Sequence, residues 1–264
     1  MKQTIPSSIL AINNLATDEK VGIYARLIPE WIFDEFGIDR ASFCKDGQRV
    51  IDFQCKAHSR SVEITVKRAA SDQDPMLYLN MADTLYQQLH VLLVVFNDMD
   101  SKRYNIDVDQ AGNPTFLGTS SRNITEEIAA MEAGLGPGQI RKGLRAFKNA
   151  VPIFEDFIIG MGHDLFLIEP LAYHNAILFE KYGFNYTQGK QEMQKIHDEF
   201  QPGGRLHDAL NNDNPFRHQE AWKTVRGRSW AIHDGILGYK FSGAQMYKRV
   251  GHHADVNTFP DAIW

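Results

Sequence analysis

Cysteine is scarce: Cys44 and Cys55 are the only two in 264 residues and they lack CxxC spacing, so neither a disulfide framework nor a zinc knuckle is encoded. Reduced thiols, and with them a cytoplasmic chain, are the expectation. Long hydrophobic runs are missing too. The longest, Val91 to Phe96, falls far short of the ~20 residues a bilayer requires. The opening MKQTIPSSILAINN has a short apolar patch with Pro6 ahead of it and no clear cleavage site, so no signal peptide is expected. Positive charge is not in excess. A net charge of -5 argues against a surface that grips nucleic acid or anionic membrane as a whole. Repeats and low-complexity tracts are absent. What remains is 43% hydrophobic and 23% charged residues, enough for a sizeable core without metal or disulfide staples.

Periodicity predicts an α/β protein. Residues 21–38 carry apolar residues at helical spacing, broken at Pro29 and stopped at Gly37. Ile51, Phe53 and Cys55, then Val62, Ile64 and Val66, alternate with polar residues as half-buried strands do, and the short KAHSRS linker suits an antiparallel hairpin. TLYQQLHVLLVVF is apolar nearly all round and reads as a buried helix or as a helix running into a strand. YNIDVD alternates again, QAGNP turns and TFLG returns. Asn123 and Glu126 form a capping-box start for a helix that ends at Gly134. Beyond GLGPG, the stripe Ile140, Leu144, Phe147, Val151, Phe154 and Ile158 predicts one long amphipathic helix opening near Gln139, kinked at Pro152. DLFLIEP reads as a strand. After residue 190 the pattern turns helical, which suggests an α/β domain over 1–190 and a helical extension over 191–264.

The stretch HNAILFEKYGF, directly after DLFLIEP, carries the most functional information. Asn175 can cap a helix or donate to a ligand, Gly183 permits the left-handed turn that stops the helix, and Phe184 returns to the core. The order long helix, strand, Asn175, Ala176, Phe179, Glu180, Lys181, Gly183, Phe184 resembles the C-terminal half of the GCN5-related N-acetyltransferase (GNAT) superfamily. That resemblance, over residues 134–190, implies a mixed sheet flanked by helices and an acyl-CoA-dependent N-acyltransferase that uses acetyl-CoA or another acyl-CoA as co-substrate, with an amine as acceptor. It also implies that the pyrophosphate rests at the amino end of the long helix, where Gly134, Gly136, Gly138, Arg141, Lys142 and Gly143 stand. The family's glycine motif has a polar residue at its start. Registering it on Gly134 and Gly136 puts Met131 there, and registering it on Gly143 puts Ile140 there and Arg145 last. Where many members carry a Tyr as proton donor this chain has Phe179, which leaves Tyr173, His174, Tyr182 or solvent; Glu169, at the strand end, is the candidate base.

Two other readings compete. A GNAT-like fold could serve as a non-catalytic binding module. Eight of the ten histidines follow residue 160, and four precede an Asp (His163, His197, His207, His233), which invites a metal-dependent hydrolase. No HExxH or Glu-x-x-His supports that, and DVDQAG fails as a calcium loop because Ala111 and Gly118 occupy ligand positions. No metal is therefore expected. WKTVRGRSW interleaves Trp222, Lys223, Arg226, Arg228 and Trp230 and suits either a nucleotide or a helix with a basic outer face.

Overall fold

The structure is a computed structural model that describes residues 5–264 except 117, 119 and 145. The TFLG return, which contains Leu117, and the Arg145 of the glycine register lie in part outside the described residues. The chain is mixed α/β. In order it forms α1 (Ile9–Asn13), α2 (Thr17–Ala25), α3 (Glu30–Phe36), β1 (Cys44–Lys45), β2 (Gln48–Arg49), β3 (Ile51–Gln54), β4 (Ser61–Val66), β5 (Leu77–Asp83) and β6 (Leu89–Phe96). There follow α4 (Ile124–Glu132), α5 (Phe147–Gly160), β7 (Leu165–Ile168), α6 (Tyr173–Lys181), β8 (Asn185–Gln188), α7 (Lys190–Glu199), α8 (Arg205–Asp208), α9 (Val225–His233) and β9 (Gln245–Arg249). Seven strands make one mixed sheet in the order β3-β4-β5-β6-β7-β9-β8, flanked by helices, and β1 and β2 pair separately.

Two compact units divide the chain. The first comprises Met1–Met99, Gly143–Glu169 and Tyr247–His253; the second comprises Asp100–Lys142, Pro170–Met246 and Ala254–Trp264. Neither is continuous, so a single cut near residue 190 does not describe this division, and the segment after 190 holds a strand, β9, besides its helices.

In the first unit, β3 to β6 are successive antiparallel neighbours and β6 pairs with β7 in parallel. Val62, Ile64 and Val66 of β4 and Leu77, Leu79 and Met81 of β5 are buried, while the alternate residues are partly exposed. That is the period-two alternation of a sheet with one face in a core. Polar side chains fix α1 and α2 to these strands: Asp83 accepts from the Ile9 and Leu10 N–H groups at 2.8 Å, Asn13 Nδ2 donates to the Ser59 and Ser61 carbonyls, and the buried Tyr24 hydroxyl donates to Asn13 Oδ1 at 2.7 Å.

The second unit buries Tyr104, Ile106, Ala130, Leu135, Phe216 and Trp230 together. Trp230 stacks on Phe216 and donates its indole N–H to the Leu135 carbonyl at 2.7 Å, which satisfies the polar end of a fully buried ring.

Several expectations change. TLYQQLHVLLVVF contains no helix: residues 89–96 are β6. YNIDVD forms only an isolated bridge, Val108 to Pro114, closed by the turn at Gly112. Asn123 caps α4, accepting from the Glu126 N–H, but the Glu126 carboxylate accepts from the Asn105 N–H instead of completing a reciprocal box. The largest difference is α5, which opens at Phe147 and not near Gln139. Gly138 adopts φ +83, the Tyr104 N–H donates to the Ile140 carbonyl, and Gly143 bridges to Asn97, so residues 138–143 are committed to turn and strand-like bonds incompatible with a helix.

Candidate functional site

The candidates from sequence divide between the units: Glu169 and Gly143 belong to the first, and the others to the second.

Within the second unit most of them have structural tasks. Gly134 (φ +78) is the left-handed stop of α4, and the Leu135 N–H returns to the Ala130 carbonyl. Gly136 lies against the ring of His174, so closely that a Cβ there would come within 2.8 Å of it, and its N–H donates to Gln139 Oε1. Arg141 Nη1 donates to the Ser101 carbonyl and the Lys142 N–H to Ser101 Oγ. No helix N-terminus accompanies Gly134, Gly136 or Gly138, and the expected phosphate cradle at that place is corrected accordingly. Asn175 is the third residue of α6, whose N-cap is Ala172, so it does not cap the helix. Gly183 (φ +80) and Phe184 do end α6 as expected: the Phe184 N–H donates to the Phe179 carbonyl, and the two rings pack at 5.3 Å.

Tyr173 and His174 are buried, at 1% and 5% exposure. Burial pushes the Tyr173 hydroxyl up to about 12, with the adjacent Arg228 guanidinium opposing it. Burial lowers His174 to about 4, assisted by Arg226 and His233. Ser229 Oγ accepts from the His174 backbone N–H and lies 2.8 Å from Nδ1, so the ring is hydrogen-bonded within the core. Both groups are thus held neutral in a core, which is unlike a proton donor at an open site. Tyr182 is half-buried just past α6. Arg228, of the basic aromatic run, points inward between Phe200 and Phe259 and donates to the Trp222 carbonyl, and Trp230 is core, so neither belongs to a basic outer face.

The His-Asp pairs find partners one by one. His163 Nε2 meets the Ser7 carbonyl, His197 lies between Arg228 and Gln201, His207 faces Asp208, and His233 meets Glu127. Glu127 is buried; burial would raise its carboxyl, yet His233 and Arg122 hold it below the usual carboxylate range. Among the described residues no group of three or more His, Cys, Asp and Glu could hold a metal ion. Among them, too, no helix is long and apolar enough to cross a membrane.

The first unit holds a different arrangement. The parallel ladder between β6 and β7 consists of His90 with Leu167 and Val91 with Ile168, and it stops there, although β6 continues to Phe96. At the same point β6 carries a bulge: Asn80 faces Leu93, Met81 faces Val91, and Leu92 is the extra residue. Leu92 to Phe96 are all half-exposed, whereas Leu89 and Val91 are buried. Beyond Phe96, the Leu144 N–H donates to the Phe96 carbonyl, and α5 begins three residues later with no side-chain cap. Its first turn contains the exposed Lys148.

The register assigns the open face of this sheet. Glu63 pairs with Asn80, Thr65 with Tyr78, Ala82 with His90, and His90 with Leu167. Tyr78 donates to Glu63 Oε2 at 2.9 Å; burial and that carboxylate push its hydroxyl up to about 12, while the Asn80 side chain bonds it in the opposite sense. Burial also lowers His90, and Glu169, just past β7, opposes that shift, so the imidazole and the carboxylate are neighbours. Asn80 Oδ1 and His90 Nε2 are buried atoms without a hydrogen-bond partner. Sequence reasoning found Glu169 and missed His90, Tyr78, Glu63 and Asn80, whose only signal was their place on the polar side of two alternating strands.

Comparison with protein-family models, with curated proteins and with solved structures finds no match to this chain.

Proposed function

We propose that the chain is a GNAT-like, acyl-CoA-dependent N-acyltransferase whose reacting centre is the β6–β7 divergence of the first unit. One observation carries the reading. The ladder ends at Val91 and Ile168, where β7 itself ends, and Phe96 is next engaged by the Leu144 N–H, so Leu92 to Val95 are left without a β7 partner. Unpaired strand backbone flanked by half-exposed apolar side chains suits an extended ligand that offers amides to hydrogen-bond and methylenes to bury. The four residues Leu92 to Val95 span roughly 13 Å at ~3.3 Å per residue, a length suited to much of the pantetheine arm of a coenzyme A thioester. The start of α5 has no side-chain cap and carries Lys148 in its first turn, which suits phosphate at the far end. The sequence resemblance in HNAILFEKYGF supports the same class.

A bound acyl-CoA supplies an activated thioester. His90 is the general base: kept neutral by burial, it takes a proton from the acceptor amine, and Glu169 stabilises the imidazolium that results. The amine nitrogen forms its bond to the acyl carbon as the carbon–sulfur bond breaks, and His90 returns the proton to the departing sulfur, so that amide and free thiol are the products. The bulge at Leu92 is where a backbone N–H would polarise the acyl carbonyl. Calorimetric titration with acetyl-CoA and longer acyl-CoAs, followed by free-thiol release with a panel of amines, tests the proposal. Binding with amine-dependent thiol release is expected, and absence of binding to every thioester would remove it.

A further inference from the structure

We infer that the open sheet face of the first unit binds a primary ammonium group, held by Asn80 Oδ1 and His90 Nε2 and flanked by Glu63 and Glu169. Used as an acyl acceptor, that ligand rests on the acyltransferase reading; its binding does not.

Two buried polar atoms on this face have no hydrogen-bond partner, Asn80 Oδ1 and His90 Nε2, the second an acceptor when the ring proton is on Nδ1. Asn80 has given its amide side chain to the Tyr78 oxygen, and Tyr78 has given its proton to Glu63, so this relay ends in an Asn80 carbonyl oxygen with no donor. His90 Nε2 also lacks a partner. A buried polar atom left unpaired costs about 1–3 kcal/mol, which favours a ligand that supplies the missing donors. The two residues are diagonal neighbours on one face, because His90 stands opposite Ala82, two residues along β5 from Asn80. An ammonium carries three donors and no acceptor, so it can serve both atoms and leave one proton for a carboxylate.

Charge selects the same ligand. On β3 to β6 this face carries Asp52 and Glu63 and no Lys or Arg, Glu169 stands at the end of β7, and β9, on the far side of β7, adds one cation, Lys248 or Arg249. Leu93 and Val95 share the face and give an alkyl chain something to lie on. A hydroxyl has one donor and no charge, and a carboxylate would meet carboxylates. The chemical class is therefore a primary amine on a short alkyl chain.

Such an ammonium first loses one proton to solvent, which frees the lone pair; as the neutral amine attacks the acyl carbon, a second N–H bond breaks and an Nε2–H bond forms on His90, and this is the proton that passes to the departing sulfur. Glu63 and Asn80 act here as specificity-determining residues.

The test is calorimetric titration of the full chain with putrescine, and with butanediol as the uncharged probe, at low ionic strength. Saturable binding of the diamine but not the diol is expected, weakened about tenfold or more in Asn80→Leu and in Glu63→Gln, the scale of one lost charge-assisted hydrogen bond. Asn80→Leu removes an unpaired buried acceptor together with the bond to the Tyr78 oxygen, two opposed changes that should leave the fold intact, which denaturant titration checks. Equal binding of both probes, binding of neither, or diamine binding indifferent to both substitutions overturns the inference. Diamine binding without thiol release from any acyl-CoA would leave this site standing and remove the acyltransferase. Thiol release driven by amines that ignore Asn80→Leu and Glu63→Gln would do the reverse.

Discussion

His174 offers a prediction whose size can be worked from the structure. Its ring is 5% exposed, is hydrogen-bonded to Ser229 Oγ through Nδ1, and lies against Gly136, so a second ring proton would place a charge in the core. The folded-state value lies below the ordinary one, so the sign is fixed. The stabilisation is complete above the unfolded value of 6.5 and is lost as pH falls from 6.5 toward about 4, where the folded form also protonates. A displacement from 6.5 to about 4, at about 1.4 kcal/mol for each tenfold in acidity, amounts to about 3 kcal/mol. Other groups titrate in the same window, so the measurement is a comparison. Denaturant unfolding of the parent and of His174→Gln, which keeps an acceptor toward Ser229 and cannot titrate, would be followed from neutral pH to pH 4. The parent should lose about 3 kcal/mol more than the variant. Parallel pH dependences in the two proteins would refute the view of His174 as a neutral core group.

Further outcomes follow from named contacts. Glu180 is buried and accepts from the Tyr186 hydroxyl, the Thr258 N–H and the Thr258 hydroxyl; Glu180→Ala leaves three donors unpaired and should cost about 3 kcal/mol or more in chemical denaturation, with Glu180→Gln costing less. Gly136→Ala sets a Cβ 2.8 Å from the His174 ring, so it should destabilise by about 1–3 kcal/mol through overpacking and shift the His174 NMR signals. His90→Gln should reduce amine-dependent thiol release about a hundredfold or more while acyl-CoA binding persists, since it removes a proton acceptor and not a coenzyme contact; an unchanged rate would show that another base acts.

The sequence announced what depends on near neighbours. The β3–β4 hairpin was legible from two short alternations, the α4 start from Asn123, and the α6 stop from Gly183 and Phe184, because each is decided within a few residues. The β6 segment was not. Its apolar side chains run nearly without interruption because one side meets a core while the other lines a half-covered face, and an unbroken apolar run has no period. The supposed helix at Ile140 and Leu144 imitated a stripe by spacing alone; Gly138, Gly143 and the bonds to Tyr104 and Asn97 decide that stretch, and those partners are distant in sequence. The candidate site was least legible. In a regular strand His90 would share a face with Leu92, and only the bulge, together with pairing to Leu167 far along the chain, brings His90 to the side of Leu93, Asn80 and Glu169.

Hydrogen–deuterium exchange on the full chain, with and without acetyl-CoA, tests the central claim most directly because it reads the strand backbone itself. Slower exchange confined to amides of residues 92–95 and to the first turn of α5 is predicted. Unchanged exchange there, or slowing that appears instead over residues 134–142, would contradict it.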